Sequence, residues 1–111
     1  MIKRKMKPPA NYALFYEFDM KAPRKRQVSC SATLLRPSQR ATGEWACRFL
    51  LRGIAEEEHT IYGADPLQAL MLALEYLRFA LDRIKKRGVA IRYQKSAEEI
   101  DLQLYFRGRP C

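Results

Sequence analysis

The segment Gly63-Ala64-Asp65-Pro66-Leu67-Gln68-Ala69-Leu70-Met71-Leu72-Ala73-Leu74 constrains the fold more than any other in the chain. Asp65 is placed as a helix N-cap, where its carboxylate accepts from the unpaired N–H groups of the first turn. Pro66 follows at the first helical position, where a missing N–H costs nothing. Gln68 stands three residues after Asp65, as in a capping box. The stop signal is equally plain. Lys85, Lys86 and Arg87 put cations at the negative end of the dipole, and Gly88 suits the left-handed residue after it. Residues 65 to 87 therefore form one helix of 23 residues, about 34 Å long at ~1.5 Å per residue.

Leu67, Leu70, Leu74, Leu77, Leu81 and Ile84 recur at helical spacing, and Ala73 and Ala80 widen the stripe. Leu72, Tyr76 and Phe79 lie on a second side. So wide an apolar surface is either enclosed by the fold or touches a partner; burial is the expected reading.

The residues before the helix read as strands and turns. Tyr12 to Phe18 alternates, with Tyr12, Leu14, Tyr16 and Phe18 on one face. Lys21 to Arg26, containing Pro23, is a turn. Gln27 to Leu35 is a second strand, closed by Pro37-Ser38, and residues 40–43 turn again. Glu44 to Arg52 is a third strand with Trp45, Cys47, Phe49 and Leu51 inward, and Thr60 to Tyr62 a short fourth. Short links between successive strands favour an antiparallel meander. After Gly88, residues 89–93 and 100–106 alternate and are expected to pair as a hairpin across Lys95 to Glu99. The expected fold is α+β: an antiparallel sheet of about four strands against one long helix, with a C-terminal hairpin. At 111 residues it is a single domain. Residues 1–9 form a basic arm, 10–88 the core and 89–111 a C-terminal extension.

Several chemistries lack their residues. The glycines stand at 43, 53, 63, 88 and 108, too dispersed for a phosphate-cradling loop. Cys30, Cys47 and Cys111 are odd in number and form no C-x-x-C pair, so neither a disulfide framework nor a zinc site is indicated. Cys30 and Cys47 alternate in phase with apolar neighbours and are expected to be buried. Glu56-Glu57-Glu58-His59 is the one carboxylate–histidine cluster and reads as a solvated acidic loop. Ser29, Ser31, Ser38 and Ser96 lack the elbow of a hydrolase nucleophile. No catalytic residue, cofactor or metal is expected. The apolar stretch from Tyr12 to Phe18 is too short for a signal peptide, and no apolar run reaches the ~20 residues of a membrane span. A cytoplasmic protein without membrane insertion is the expectation.

The formal charge of +9 is lopsided. Residues 1–40 hold ten cations against Glu17 and Asp19, a net +8; residues 41–111 hold eleven cations against ten acids, a net +1. The excess gathers at Lys3 to Lys7 and at Lys21 to Arg26. Such patches draw acidic proteins, nucleic acid or anionic lipid, or simply keep a surface solvated. The candidate partner-binding residues are Lys21, Arg24, Lys25, Arg26, Arg36 and Arg40. Tyr12, Phe15 and Tyr16, and Tyr93, Tyr105 and Phe106 beside Arg92 and Arg107, interleave aromatics with cations, but no RNA-binding consensus accompanies them.

The pattern Trp45-x-Cys47-x-Phe49, followed by Tyr62-Gly63-x-Asp65-x-x-Gln68-Ala69-Leu70-x-x-Ala73-Leu74, resembles the DUF6968-like small bacterial proteins of unknown function. The resemblance covers roughly residues 10–87. It implies a fold, strands first and then the capped helix, and a bacterial source; it implies no catalytic residue. Arg24 to Arg26 and the segment after Gly88 stand outside that pattern.

Two functions are therefore expected. The first is a non-enzymatic cytosolic protein-binding module of the immunity type, which binds and neutralises a cognate bacterial toxin. The alternative is a nucleic-acid-binding protein that uses the basic N-terminal arm and the 21–26 loop. The oligomeric state is open.

Overall fold

A computed structural model describes residues 10–53 and 56–102. The basic arm, Cys111, Tyr105, Phe106, Arg107 and most of the expected strand over 100–106 lie outside the described residues. The elements in order are β1 (Tyr12–Lys21), β2 (Gln27–Leu35), β3 (Ser38–Gln39), β4 (Trp45–Arg52), β5 (Glu57–Gly63), α1 (Pro66–Lys86) and β6 (Ala90–Arg92).

All strand pairs are antiparallel. β2 and β3 share one side of β4, pairing with residues 49–52 and with Trp45 and Ala46 respectively. Pro37, which has no N–H to give a ladder, separates the two. β5 pairs with residues 45–51 along the other side of β4. β1 pairs with β2, and β6 adds to the outer edge of β1. The meander is thus as expected. The sheet has six strands rather than about four, because β3 and β6, two and three residues long, are too short to show periodicity.

Residues 90–92 pair with Asp19 to Lys21 of β1, a pairing the sequence does not announce. On their other side the described residues make a short antiparallel return: Tyr93 N donates to Glu98 O at 3.0 Å, and Ile100 N to Ile91 O at 2.9 Å. A bridge joins Arg92 to Glu99, and residues 103–106 of the expected hairpin lie outside the described residues. Tyr12 is a correction. A register shift between Tyr12 and Leu14 breaks the alternation. Tyr12 is accordingly 40% exposed, with its ring 6.2 Å from that of Phe15.

The acidic run is not a solvated loop. Glu57, Glu58 and His59 belong to β5, and strand alternation sends them to opposite faces. Glu57 is half-buried in an ion pair with Arg83 of α1, Glu58 pairs with Arg48 of β4, and the His59 ring lies 4.9 Å from that of Tyr76.

α1 keeps its expected ends. Gln68 N donates to Asp65 Oδ1 at 2.8 Å. Gln68 Oε1 accepts from Ala64 N at 2.6 Å, one residue before the cap. Gly88 has φ +89. Its buried face is Ala69, Ala73, Leu77, Ala80, Leu81 and Ile84. That face is rotated away from the expected leucine stripe toward the alanines. Small side chains let the helix axis approach the sheet, which leaves Leu70 and Leu74 on the flank and Leu67 65% exposed. Phe18, Met20, Cys30, Leu34, Phe49, Leu51 and Ile91 meet this face from the sheet.

The segment Gly63 to Ala69 is thereby explained as packing. A Cβ on Gly63 would sit 2.5 Å from Ala69 N. Gly63→Ala is expected to destabilise the protein by about 1–3 kcal/mol, as overpacking does. A denaturant midpoint unchanged from wild type would show that the helix start can shift.

Candidate functional site

The β1–β2 turn closes over Ala22 and Lys25, with Lys25 N donating to Ala22 O at 3.2 Å. Pro23 suits the second turn position, whereas the third, Arg24, has φ +60. A glycine there would hold the same backbone with less strain. Arg24, Lys25 and Arg26 are all exposed at the tip; Lys21 is half-buried, its Nζ donating to Ala22 O at 3.0 Å.

The pairing of β6 with β1 brings more cations to this end. Lys21 stands opposite Ala90. Arg87, the C-cap of α1, precedes Ala90 by only three residues and is exposed. Lys95, also exposed, is anchored through its backbone: its N–H donates to Asp19 Oδ2 at 2.9 Å. Asp19 is 4% exposed and its Oδ2 also accepts from Gln27 Nε2 at 2.8 Å. Gln27 Nε2 donates in addition to Ser96 O at 2.8 Å, and Gln27 Oε1 accepts from Arg92 at 3.0 Å. Asp19 and Gln27 thus clamp the 93–98 loop onto the end of the sheet. Exposed Glu98 and Glu99 flank the loop.

The six candidate residues do not form one patch. Lys21, Arg24, Lys25 and Arg26 lie at one end of the β1–β2 hairpin, and Arg36 and Arg40 at the other, about 30 Å away at ~3.3 Å per strand residue. Arg40 donates to the Tyr62 hydroxyl at 2.7 Å, lies over its ring at 5.2 Å and faces Glu44 at 3.8 Å. Arg36 is exposed, with its N–H on Asn11 O at 2.8 Å. Arg87 and Lys95 are not among the six candidates because they join the pole only through the β1–β6 pairing. The three-residue β6 carries no signal of its partner.

A second feature is an apolar cavity of about 330 Å³. Leu14 and Tyr16 of β1, Leu74, Leu77 and Leu81 of α1, and Ile91 of β6 surround it, with Ile100 and Leu102 at one side. Its described lining is apolar apart from Tyr16. Among the described residues no three His, Cys, Asp or Glu side chains are grouped to hold a metal, and no described helix is long and apolar enough to cross a membrane.

Cys30 and Cys47 are both fully buried. Cys47 Sγ donates to Leu35 O at 3.2 Å, and burial raises its thiol above the ordinary range. Neither thiol is expected to react with a thiol reagent faster than the protein opens. Because the folded-state value is raised, the unfolded chain loses this proton first. Stability therefore falls as pH rises past the ordinary thiol value of ~8.5. Cys47→Ala is expected to remove that part of the alkaline loss, measured as the pH dependence of the denaturant midpoint. Fast native labelling of Cys47 would contradict the burial argument.

No curated protein and no solved structure matches the chain. The model of DUF6968, a domain of unknown function, matches residues 17–104. The match takes in the 21–26 turn, β6 and the 93–98 loop, so these segments lie within the matched span. On that match the chain belongs to the DUF6968 family.

Proposed function

We propose that this protein is a non-enzymatic binding module that docks an acidic protein surface on its basic pole. The observation that carries the reading is the convergence of exposed Arg24, Lys25 and Arg26 with Arg87 and Lys95 through the β1–β6 pairing. Arg24 adds weight, since a cation stands where the turn backbone favours glycine. The finer form of the reading is the immunity type, in which the acidic surface belongs to a cognate bacterial toxin.

Such a pole acts mainly through steering, so it raises association rates and makes them salt-sensitive. The test is a variant with Lys21, Arg24, Lys25 and Arg26 all changed to Glu. Proteins retained by the wild-type chain from its native extract are identified, and one is then measured purified at two salt concentrations. Slower association with a weakened salt dependence is expected for the variant. Unchanged kinetics would remove the pole from the interface.

One observation favours the nucleic-acid alternative: Tyr93, 36% exposed, stands beside the cations, as base-stacking aromatics do. Binding of generic single-stranded DNA or RNA is the matching assay. There each lost phosphate contact lowers the salt slope by ~0.7–0.9.

A further inference from the structure

We propose that the apolar cavity beside β1 is the seat of the chain's own C-terminal segment, with the Phe106 ring as the group that fills it. The cavity, about 330 Å³, is roughly ten times the ~30 Å³ share of one water in the liquid. Protein interiors hold few spaces that large, and this one is bordered by aliphatic side chains and Tyr16.

The cavity exists because one helix cannot roof this sheet. A helix with its side chains is ~10–12 Å across, and strands stand ~4.8 Å apart. α1 lies chiefly over β4 and β5, whereas β1 is separated from β4 by β2. The core-facing side chains of β1 are Leu14, Tyr16, Phe18 and Met20, and their burial changes along the strand. Phe18 and Met20 are fully buried; Leu14 and Tyr16 are only half-buried.

The covered half of β1 is the half that the C-terminal return reaches. Met20 stands opposite Ile91 of β6, and Ile100 N donates to Ile91 O at 2.9 Å. Ile100 and Leu102 are 2% and 8% exposed, and both border the cavity together with Leu14 and Tyr16. The described residues end at Leu102, on the rim of the cavity, with nine residues of sequence still to follow.

Those nine residues carry Leu104, Tyr105 and Phe106 ahead of Arg107, Gly108 and Arg109, so their apolar part comes first. Phe106 is selected by phase. It follows Leu102 by four positions, and residues four apart share a side in an extended strand and in a helix alike. Phe106 is therefore in phase with the side on which Leu102 is buried. Four residues span up to ~13 Å at ~3.3 Å each, enough to cross a cavity of this volume. The other surface beside Leu102 is the outer side of α1 at Glu75, Arg78, Phe79 and Asp82, which is mostly charged and suits an apolar run less well.

Nuclear Overhauser contacts in the full wild-type chain are the first measurement. The Phe106 ring protons should show cross-peaks to the methyl groups of Leu14, Leu74 and Leu77. Contacts to Phe79 in their place would put the segment over the outer side of α1 and overturn the proposal, as would the absence of contacts to any cavity residue. The second measurement is stability with dye binding. Phe106→Asp should lower the denaturant midpoint, and the variant below its transition should enhance the fluorescence of an anilinonaphthalene sulfonate severalfold over wild type, because the apolar wall is uncovered. Arg109→Glu, beyond the apolar run, should match wild type in both. A wild-type midpoint and dye response in Phe106→Asp, or equal changes in Arg109→Glu, overturn the proposal. The first measurement needs no variant, so it decides even where Phe106→Asp does not fold. The four-glutamate variant of the basic pole should keep the Phe106 contacts, which separates this seat from the surface proposed to bind the partner.

Discussion

Phe49→Ala is expected to lower the free energy of unfolding by about 3–5 kcal/mol, the usual cost of emptying a large aromatic site. Phe49 is fully buried in the middle of β4. Its neighbours in register are Leu34 of β2 and His59 of β5, so it bridges three strands. Above it the ring of Tyr76 stands edge-on, with centroids 5.2 Å apart. That contact adds ~0.5–1.5 kcal/mol beyond burial. Alanine at this position leaves a void that strands fixed on both sides cannot collapse to fill. Denaturant unfolding monitored by circular dichroism should show a lower midpoint and an unchanged slope. Leu74→Ala provides the contrast. Leu74 lies on the flank of α1 beside the apolar cavity, and its loss should cost less. Equal losses at the two positions would mean that the leucine stripe, and not the alanine face, is the true seat of the helix.

Asp19→Leu should cost about 2–4 kcal/mol and alter the basic pole as well. The carboxylate is nearly inaccessible and accepts from both Gln27 Nε2 and Lys95 N. Leucine is close in size but strands both donors, at ~1–3 kcal/mol each when buried. The global loss is one readout. The other is local: with its anchor gone, the 93–98 loop should exchange its amide hydrogens faster than the β4–β5 ladder does. Proportional acceleration everywhere would mean that Asp19 supports the fold as a whole and does not act as a clamp on the loop.

The parts of this fold that could be read in advance are those encoded by neighbours in the chain. Asp65, Pro66 and Gln68 specify the helix start by local hydrogen bonding, and Gly88 specifies its end. β1, β2, β4 and the second half of β5 follow from alternation and from turns at Pro23 and Gly43. What could not be read depends on distance. The rotation of α1 onto Ala69, Ala73 and Ala80 is decided by how near the sheet can come, which the spacing of leucines does not record. Glu57 looked solvated because its partner, Arg83, lies on another element. The candidate site was half legible. The 21–26 cations were evident as a run, but their company with Arg87 and Lys95 depends on a pairing of β6 with β1 that three residues cannot advertise.

That same pairing has a consequence in time. The ladders from β1 to β5 join strands that follow one another closely, so a growing chain can form them as it is made. β6 must return across nearly the whole described sequence to reach β1, and closing so long a loop is the slow, entropically costly part of such a topology. The loop that Asp19 holds comes later still in the chain. The proposed basic pole is therefore completed after the β1 to β5 ladders. A chain in which β6 has not yet paired can carry most of the sheet, the whole helix and the 21–26 cations and still lack the Arg87 and Lys95 side of the pole.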